Sequence, residues 1–229
     1  MKKISLFLTL FLLVLPAQAQ NNTDKIGAWY MYFYNAKFKN SQFGIQGDVQ
    51  YRNWNTLGDL EQLLVRSGLT YKPNNTDVTL TLGVAHITTG VIGESNQTTS
   101  ETRIYQEALL PLKVGKRLYF NHRFRYEQRF VENQDFRSRF RYNLFLNIPL
   151  NKTTLSKNAV YIALYNEIFI NGEKNIGDGR TVTVFDRNRF YTGVGYGLTD
   201  KLRLQMGFMN QSTENAGKDQ IQLSLHHTF

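Results

Sequence analysis

Aromatic and charged side chains alternate at every second position along much of this 229-residue chain. Phe124 and Tyr126, for example, alternate with Arg125 and Glu127. A period of two over such lengths predicts β-strands with one apolar and one polar face, and no helical periodicity is visible after residue 19. Eleven segments separated by polar or glycine-containing turns follow this pattern: 26–38, 43–54, 60–72, 78–87, 103–112, 117–130, 136–148, 159–170, 186–198, 202–213 and 220–229.

The lengths of the segments and of the connections between them favour a membrane barrel over a soluble sandwich. Most segments have roughly 9–14 residues, whereas soluble strands have about 5–6 and tilted membrane-spanning strands about 9–11. The connections at 113–116 and 199–201 are tight, and those at 88–102 and 171–185 are long and polar. This alternation is typical of outer-membrane proteins. The sequence therefore predicts an all-β fold, a single transmembrane antiparallel up-and-down β-barrel of about 10–12 strands.

The number of segments conflicts with that architecture in one respect. Single-chain bacterial barrels have even numbers of strands, whereas the pattern contains eleven segments. We therefore expect ten or twelve strands, and we expect the strand that this pattern adds or misses to lie within residues 26–54.

The N-terminal segment is typical of a secretory signal peptide. Lys2 and Lys3 precede an apolar run at 4–15, and Ala17 and Ala19 form a small-residue cleavage site. We expect cleavage after residue 19 and export to the cell outer membrane, which leaves residues 20–229 as the barrel domain.

The end of the predicted last strand carries a second export feature. Ile221, Leu223 and Leu225 share one face of this strand, which ends at Phe229. A terminal aromatic residue on an alternating strand resembles the assembly signal of bacterial outer-membrane proteins. We therefore expect Phe229 to act as an assembly signal, with the barrel-assembly machinery and outer-membrane lipid as partners.

Composition narrows the possible chemistry. The chain has no cysteine, which excludes a disulfide scaffold, an iron–sulfur site and a thiol nucleophile. Its formal charge is +9, and the predicted signal peptide holds two lysines and no acid, so the mature chain carries +7. A basic excess is typical of proteins with anionic partners. For an exported chain we expect small anionic solutes or acidic lipid as partners, and not nucleic acid.

The two predicted strands on either side of residues 131–135 carry many arginines on their polar faces. If this turn is symmetric, Glu127 faces Arg139, and Arg125 faces Arg141. Like charges opposite each other destabilise a sheet, so carboxylates such as Asp48 and Glu61, water or anions must separate them. Two interpretations remain open: a salt-bridge lattice that fills a narrow lumen, or an anion-attracting constriction. The predicted lumenal charge ladder comprises Arg123, Arg125, Glu127, Arg129, Arg137, Arg139 and Arg141, together with Glu107, Glu167 and Arg189.

Hydrolytic chemistry has weaker support in the sequence. His122 and Ser138 lie on the lipid-facing sides of neighbouring strands, but about 20 Å apart at 3.3–3.4 Å per residue. His226 and His227 point to opposite faces, which makes a poor metal pair. We therefore predict no enzyme activity, no catalytic or metal residues and no cofactor. The alternative is a lipid-modifying hydrolase at the external rim, where His86 lies near the loop at 88–102.

Glycines and tryptophans near the strand ends support two smaller predictions. Gly193 and Gly195 share a face with Arg189, so we expect them to leave space for that side chain. Trp29 and Trp54 lie near strand ends, where aromatic girdles of membrane barrels occur.

Several stretches resemble one bacterial family, the domain of unknown function 2490 family. They are FRYEQR at 124–129, RFRYNL at 139–144, YNEIF at 165–169 and FDRNRFYTGVGYGLTDKLRLQMGFMNQ at 185–211. The resemblance extends over nearly the whole mature chain. It implies an exported outer-membrane barrel of a kind common in Bacteroidetes. It implies no activity and no catalytic residues.

Overall fold

The structure is a computed structural model that describes residues 26–93 and 96–229. The predicted signal peptide at 1–19 lies outside the described residues. No helix in the described part of the chain is long and apolar enough to cross a membrane. The described residues form eleven strands: β1 Gly27–Lys37, β2 Phe43–Asn53, β3 Leu60–Tyr71, β4 Thr79–Gly90, β5 Thr98–Val114, β6 Leu118–Val131, β7 Arg137–Pro149, β8 Val160–Asn171, β9 Phe185–Gly197, β10 Leu202–Ser212 and β11 Gly217–Thr228.

These strands form one closed barrel, as the alternating pattern predicts. Each strand pairs antiparallel with the next along the chain, and β1 pairs parallel with β11. The expectation of an even number is therefore wrong. Strand direction reverses at every turn, so an odd number brings the first and last strands together in the same direction. The closing register aligns Ala28 with Ile221 and Tyr32 with Leu225.

The connections lie at two ends, which we call the loop end and the turn end. The loop end carries 172–184, and the turn end carries the tight connections 115–117 and 198–201. The predicted long loop at 88–102 is shorter than expected, because strand pairing continues to Gly90 and resumes at Thr98. The ten-residue connection 150–159 also belongs to the turn end, so loop length separates the two ends less clearly than the sequence suggested.

Alternation divides each strand between an apolar outer face and a largely polar inner face. On the outer face Leu82, Val84 and Met206 are more than half exposed. The inner face holds most of the buried charged and amide side chains of the described residues, among them Asp48 and Gln220. This distribution is the reverse of that in a soluble domain, where large apolar side chains are mostly buried.

The inner face is not uniform around the barrel. Buried arginines and carboxylates are densest on β5 to β7, whereas the side formed by β8, β9, β10 and β1 carries apolar side chains beside Arg187 and Arg189. Trp29, Tyr161, Tyr191 and Met209 form an apolar cluster there. The placement of Trp29 in an interfacial girdle is therefore wrong, because its side chain points into the barrel and is 3 % exposed.

The glycines of β9 accommodate tyrosines, not the arginines that the sequence suggested. A Cβ at Gly193 would collide with the Tyr191 hydroxyl, and one at Gly195 with the Tyr161 ring. The absence of side chains here lets these two rings lie flat against the inner wall.

Candidate functional site

The β6–β7 hairpin provides the centre of the charged interior. Its register places Glu127 opposite Arg139, Arg125 opposite Arg141, and Arg129 opposite Arg137, which is the arrangement that a symmetric turn predicts. Two of these three pairs join like charges. Such pairs are stable only when carboxylates from elsewhere reach between them.

Glu127 is the main carboxylate between these arginines, and it is 1 % exposed. Its Oε2 accepts a hydrogen bond from Arg139 Nη2 at 2.7 Å, and its Oε1 accepts one from Arg141 Nη1 at 2.6 Å. Arg103 and Arg125 approach it to 3.8 Å. One carboxylate therefore holds arginines from three strands, β5, β6 and β7.

Neighbouring strands supply further carboxylates to the same lattice. Glu167 on β8 accepts hydrogen bonds from Arg123 Nη2 at 2.7 Å and from Arg141 Nε at 2.9 Å. Glu107 on β5 pairs with Arg125. Through Glu107 and Glu167 the lattice extends from β5 to β8.

The sequence interpretation missed two carboxylates of the lattice. Glu101 pairs with Arg129 at 2.5 Å and with Arg103 at 2.7 Å, and Asp186 pairs with Arg139 at 2.9 Å. Glu101 was missed because residues 88–102 were assigned to a loop. The signal was present, since Glu101 and Arg103 continue the alternation of Glu107 on the same strand.

Arg137 and Arg189 lie inside the barrel but contact no carboxylate among the described residues. Arg137 lies beside the loop end, and its Nε has no hydrogen-bond partner. Arg189 donates from Nε to Gln211 Oε1 at 2.8 Å. Its guanidinium also lies 4.8 Å from the centre of the Trp29 ring and 4.7 Å from that of Phe169. The structure thus divides the predicted ladder into paired and unpaired arginines.

Several side-chain contacts inside the barrel join strands that are not neighbours in the sheet, so they reach over one or two intervening strands. They connect β2 with β5, β3 with β11, β6 with β8, β7 with β9 and β8 with β11. The contacts are Gln46 to Glu107 at 2.8 Å, Lys218 to Glu61 at 2.9 Å, Arg123 to Glu167 at 2.7 Å, Arg139 to Asp186 at 2.9 Å, and Tyr165 to Gln222 at 2.9 Å.

The space left inside is a cavity of about 370 Å³. Its lining includes Asn147, Arg203 and His226 toward the turn end. At the other end it reaches Arg129, and the Lys218–Glu61 pair lies beyond the lining residues. The cavity therefore runs along most of the barrel, from Gln62 and Arg129 near the loop end to Asn147 and Arg203 near the turn end.

The residues weighed for hydrolysis do not assemble into a site. His86 is exposed on the outer face of β4, opposite Val65 and Thr102. Ser138 donates to Glu173 at 3.0 Å, and His122 Nδ1 lies 2.8 Å from the Tyr142 hydroxyl. The rim hydrolase stays an untested alternative.

A serine–histidine contact that the sequence interpretation missed lies inside the barrel. Ser224 Oγ and His226 Nε2 are 3.0 Å apart on β11, and the His226 ring stacks on Phe33 at 4.8 Å. Their i, i+2 spacing on one strand face was the available signal. No described carboxylate contacts His226, and no group of described residues could hold a metal ion.

Phe229 lies just beyond β11, at the turn end of the barrel. Its side chain is 59 % exposed, its ring centre is 4.0 Å from that of His227, and its backbone N–H donates to the Asn35 carbonyl at 2.9 Å. These contacts attach Phe229 to the β1–β11 seam, and its role in assembly stays a prediction.

The fold and interior define this protein as a closed eleven-strand β-barrel with an ion-paired, arginine-rich lumen. The chain belongs to the family described as "Protein of unknown function (DUF2490)", whose model matches residues 26–222. It is also similar to an uncharacterized protein of Methylorubrum extorquens, with 29 % identity over 177 residues that cover 74 % of each chain. No solved structure matches it significantly.

Proposed function

We propose that the protein is an outer-membrane β-barrel whose lumen is closed by its own side chains, so that it serves as a structural barrel and not as an open pore. The observation that carries this proposal is the set of contacts between non-neighbouring strands. Contacts such as Gln46–Glu107 and Lys218–Glu61 reach over two intervening strands and occupy part of the space that a channel would need. A small barrel has little interior beyond what side chains fill.

The outer surface supports placement in a membrane. The strands have 11–17 residues, enough to span a bilayer when tilted. An apolar groove of about 760 Å³ on the outer wall is lined by residues such as Leu82, Phe124 and Phe140. Phe140 and Phe124 are at least half exposed, and similarly exposed large apolar side chains lie on the other strands. An apolar surface that continues around a protein marks a lipid or protein contact. We propose outer-membrane lipid as the contact and the barrel-assembly machinery as the insertion partner.

The first experiment separates membrane and soluble placement. Cells expressing the chain are fractionated, and the purified protein is run on gels with and without boiling. We expect it in the outer-membrane fraction, with a mobility that changes on heating. A monodisperse, detergent-free monomer that is mainly β would contradict the proposal.

The second experiment tests whether the lumen is closed. In planar bilayers the native protein should give conductance near the baseline. An established porin in the same bilayers serves as the positive control for detection.

A narrow anion channel is the second candidate, and the cavity of about 370 Å³ that runs along most of the barrel favours it. If this candidate is right, the native barrel conducts with anion preference. Arg125→Glu combined with Arg141→Glu then reverses that preference, because both side chains line the cavity.

A further inference from the structure

The charges inside the barrel do not balance. Nine arginines and one lysine are buried among the described residues. Five buried carboxylates accompany them, and the less buried Glu61 and Asp186 pair with Lys218 and Arg139. Burying an unpaired charge is costly, so buried charges are paired or hold a ligand of opposite sign. The excess of cations therefore calls for an anionic partner near those arginines that lack one.

Arg52 and Arg189 are the two buried arginines of this kind that line the cavity. Both are buried, and neither contacts a carboxylate among the described residues. They approach the same side chain, because the guanidinium carbon of Arg52 lies 3.8 Å from the Trp29 ring centre and that of Arg189 lies 4.8 Å from it. Two positively charged guanidinium groups thus contact one indole ring.

Their neighbours leave hydrogen-bonding capacity unused. All three nitrogens of Arg52 donate to the neutral amide oxygens of Gln50 and Gln62, at 2.5–3.0 Å. Arg189 uses Nε for Gln211, and its two terminal amino groups make no hydrogen bond to the described residues. Trp29 Nε1 is buried and has no hydrogen-bond partner among the described residues. Neutral amide oxygens therefore hold both guanidinium groups, and no described carboxylate offsets their charge.

We propose that this part of the interior is a binding site for a small oxyanion, held by Arg52 and Arg189 beside Trp29. Guanidinium groups present paired N–H donors that match the oxygens of phosphate, sulfate or carboxylate. The cavity connects the site with the turn end, which gives a free anion in solution a route to it. This inference goes beyond the proposed structural role, because a closed barrel can serve that role without binding an anion.

The chain offers a direct reporter, because it contains only two tryptophans, Trp29 and Trp54. In the Trp54→Phe protein, folded in detergent, the remaining fluorescence comes from the indole at the site. Titration with inorganic phosphate, at ionic strength held constant with chloride, should change its emission saturably. Acetate and sulfate titrations then show whether the site prefers planar or tetrahedral oxyanions.

Variants of the two arginines decide the proposal. In the Trp54→Phe background, Arg52→Gln and Arg189→Gln should each weaken phosphate binding about tenfold or more, because each removes a charge-assisted contact. The matched control Arg129→Gln removes the same charge from an arginine that Glu101 already pairs, and should leave phosphate affinity nearly unchanged. Heat-modifiable gel mobility checks that each variant is folded.

Two outcomes would overturn the proposal: no saturable response in the Trp54→Phe protein, or equal affinities for the control and both site variants. If a glutamine variant does not fold, Arg189→Lys replaces it, since lysine keeps the charge but loses the planar donor pair. Phosphate affinity of Arg189→Lys equal to that of the parent would also overturn the proposal.

Discussion

Glu127 shows how a single buried carboxylate can determine whether like-charged strands pair. Arg139 and Arg141 bind its two oxygens at 2.7 and 2.6 Å, and it is almost completely buried. Glu127→Gln keeps the shape of the side chain and removes the charge that these arginines need. Breaking a buried pair costs about 3–5 kcal/mol, so we expect a clearly lower unfolding midpoint in detergent.

The control for this prediction is Asp77→Asn, which breaks an exposed pair with Lys72 at 3.2 Å. Exposed ion pairs contribute about 0–1 kcal/mol, so this midpoint should hardly move. Equal midpoints for Glu127→Gln and Asp77→Asn would show that the buried lattice does not stabilise the barrel.

At the residue scale, alternation predicts which way a side chain points but not what it meets. The hairpin register and the inward direction of the arginines follow from the sequence, because one face of each strand is apolar and the other charged. The partner Asp186 on β9 reaches Arg139 on β7 over the intervening strand β8, a contact that the register of neighbouring strands does not give. Arg52 lies opposite Trp29 on the neighbouring strand, and this contact was missed because tryptophan is also typical of girdles. The contact of Trp29 with Arg189 on β9 depends on the closure of the barrel.

At the scale of the element, the parallel β1–β11 seam can be tested with disulfides, because the chain contains no cysteine. The register aligns Ala28 with Ile221 and Tyr32 with Leu225, so both pairs have the same separation along the chain. We expect cysteines at either pair to form a cross-link under mild oxidation, visible as a shift on non-reducing gels.

The control for the parallel seam combines one position from each of these two pairs, which gives two exchanged pairs. Cysteines at 28 and 225, or at 32 and 221, lie four residues out of register, about 13 Å at 3.3 Å per residue, and should not cross-link. An antiparallel seam has a constant sum of residue numbers, not a constant difference. Efficient cross-linking of the exchanged pairs would therefore disprove the parallel closure.

The glycines of β9 allow a second test on an element. Gly195→Val places a side chain where the Tyr161 ring lies, so we expect a lower unfolding midpoint. In a Tyr161→Ala background the same substitution should cost much less, because the colliding ring is absent. A double-mutant cycle on the midpoints measures this coupling, and additive effects would show that glycine serves another purpose there.

The elements themselves were largely predictable, and the barrel's closure was not. Each of the eleven segments corresponds to a strand, because period-two alternation is a local property of the sequence. The expectation of an even number came from the strand numbers that are usual in bacterial barrels, and not from the residues of this chain. Which strands close the barrel depends on long-range pairing that no local pattern encodes.

At the scale of the whole molecule, different interactions stabilise two parts of the barrel: the wall, which is the closed sheet, and the filling, which is the set of side chains in the lumen. The wall is held by main-chain hydrogen bonds around a closed sheet, which leaves no strand edge without a partner. The filling is held by side-chain pairs such as Arg123–Glu167. A change that removes bulk from the lumen without unbalancing its charge should therefore open a path and leave the wall folded.

Replacing Arg123, Glu127, Arg141 and Glu167 by serine makes that change, because it removes two arginines together with two carboxylates that they bind. The partners left behind keep other contacts: Arg139 retains Asp186, and Arg125 retains Glu107. We expect this variant to conduct ions in planar bilayers, whereas the native barrel stays near the baseline. Retained heat-modifiable mobility is the check that the wall is folded.

The matched control replaces the same arginines by methionine and the same glutamates by glutamine, which loses the charges but keeps the volume. This control should stay closed if bulk blocks the lumen, and conductance equal to that of the serine variant would mean that charge does so. A folded serine variant without conductance would show that the path is blocked elsewhere, with the Lys218–Glu61 pair beyond the cavity as the next position to clear.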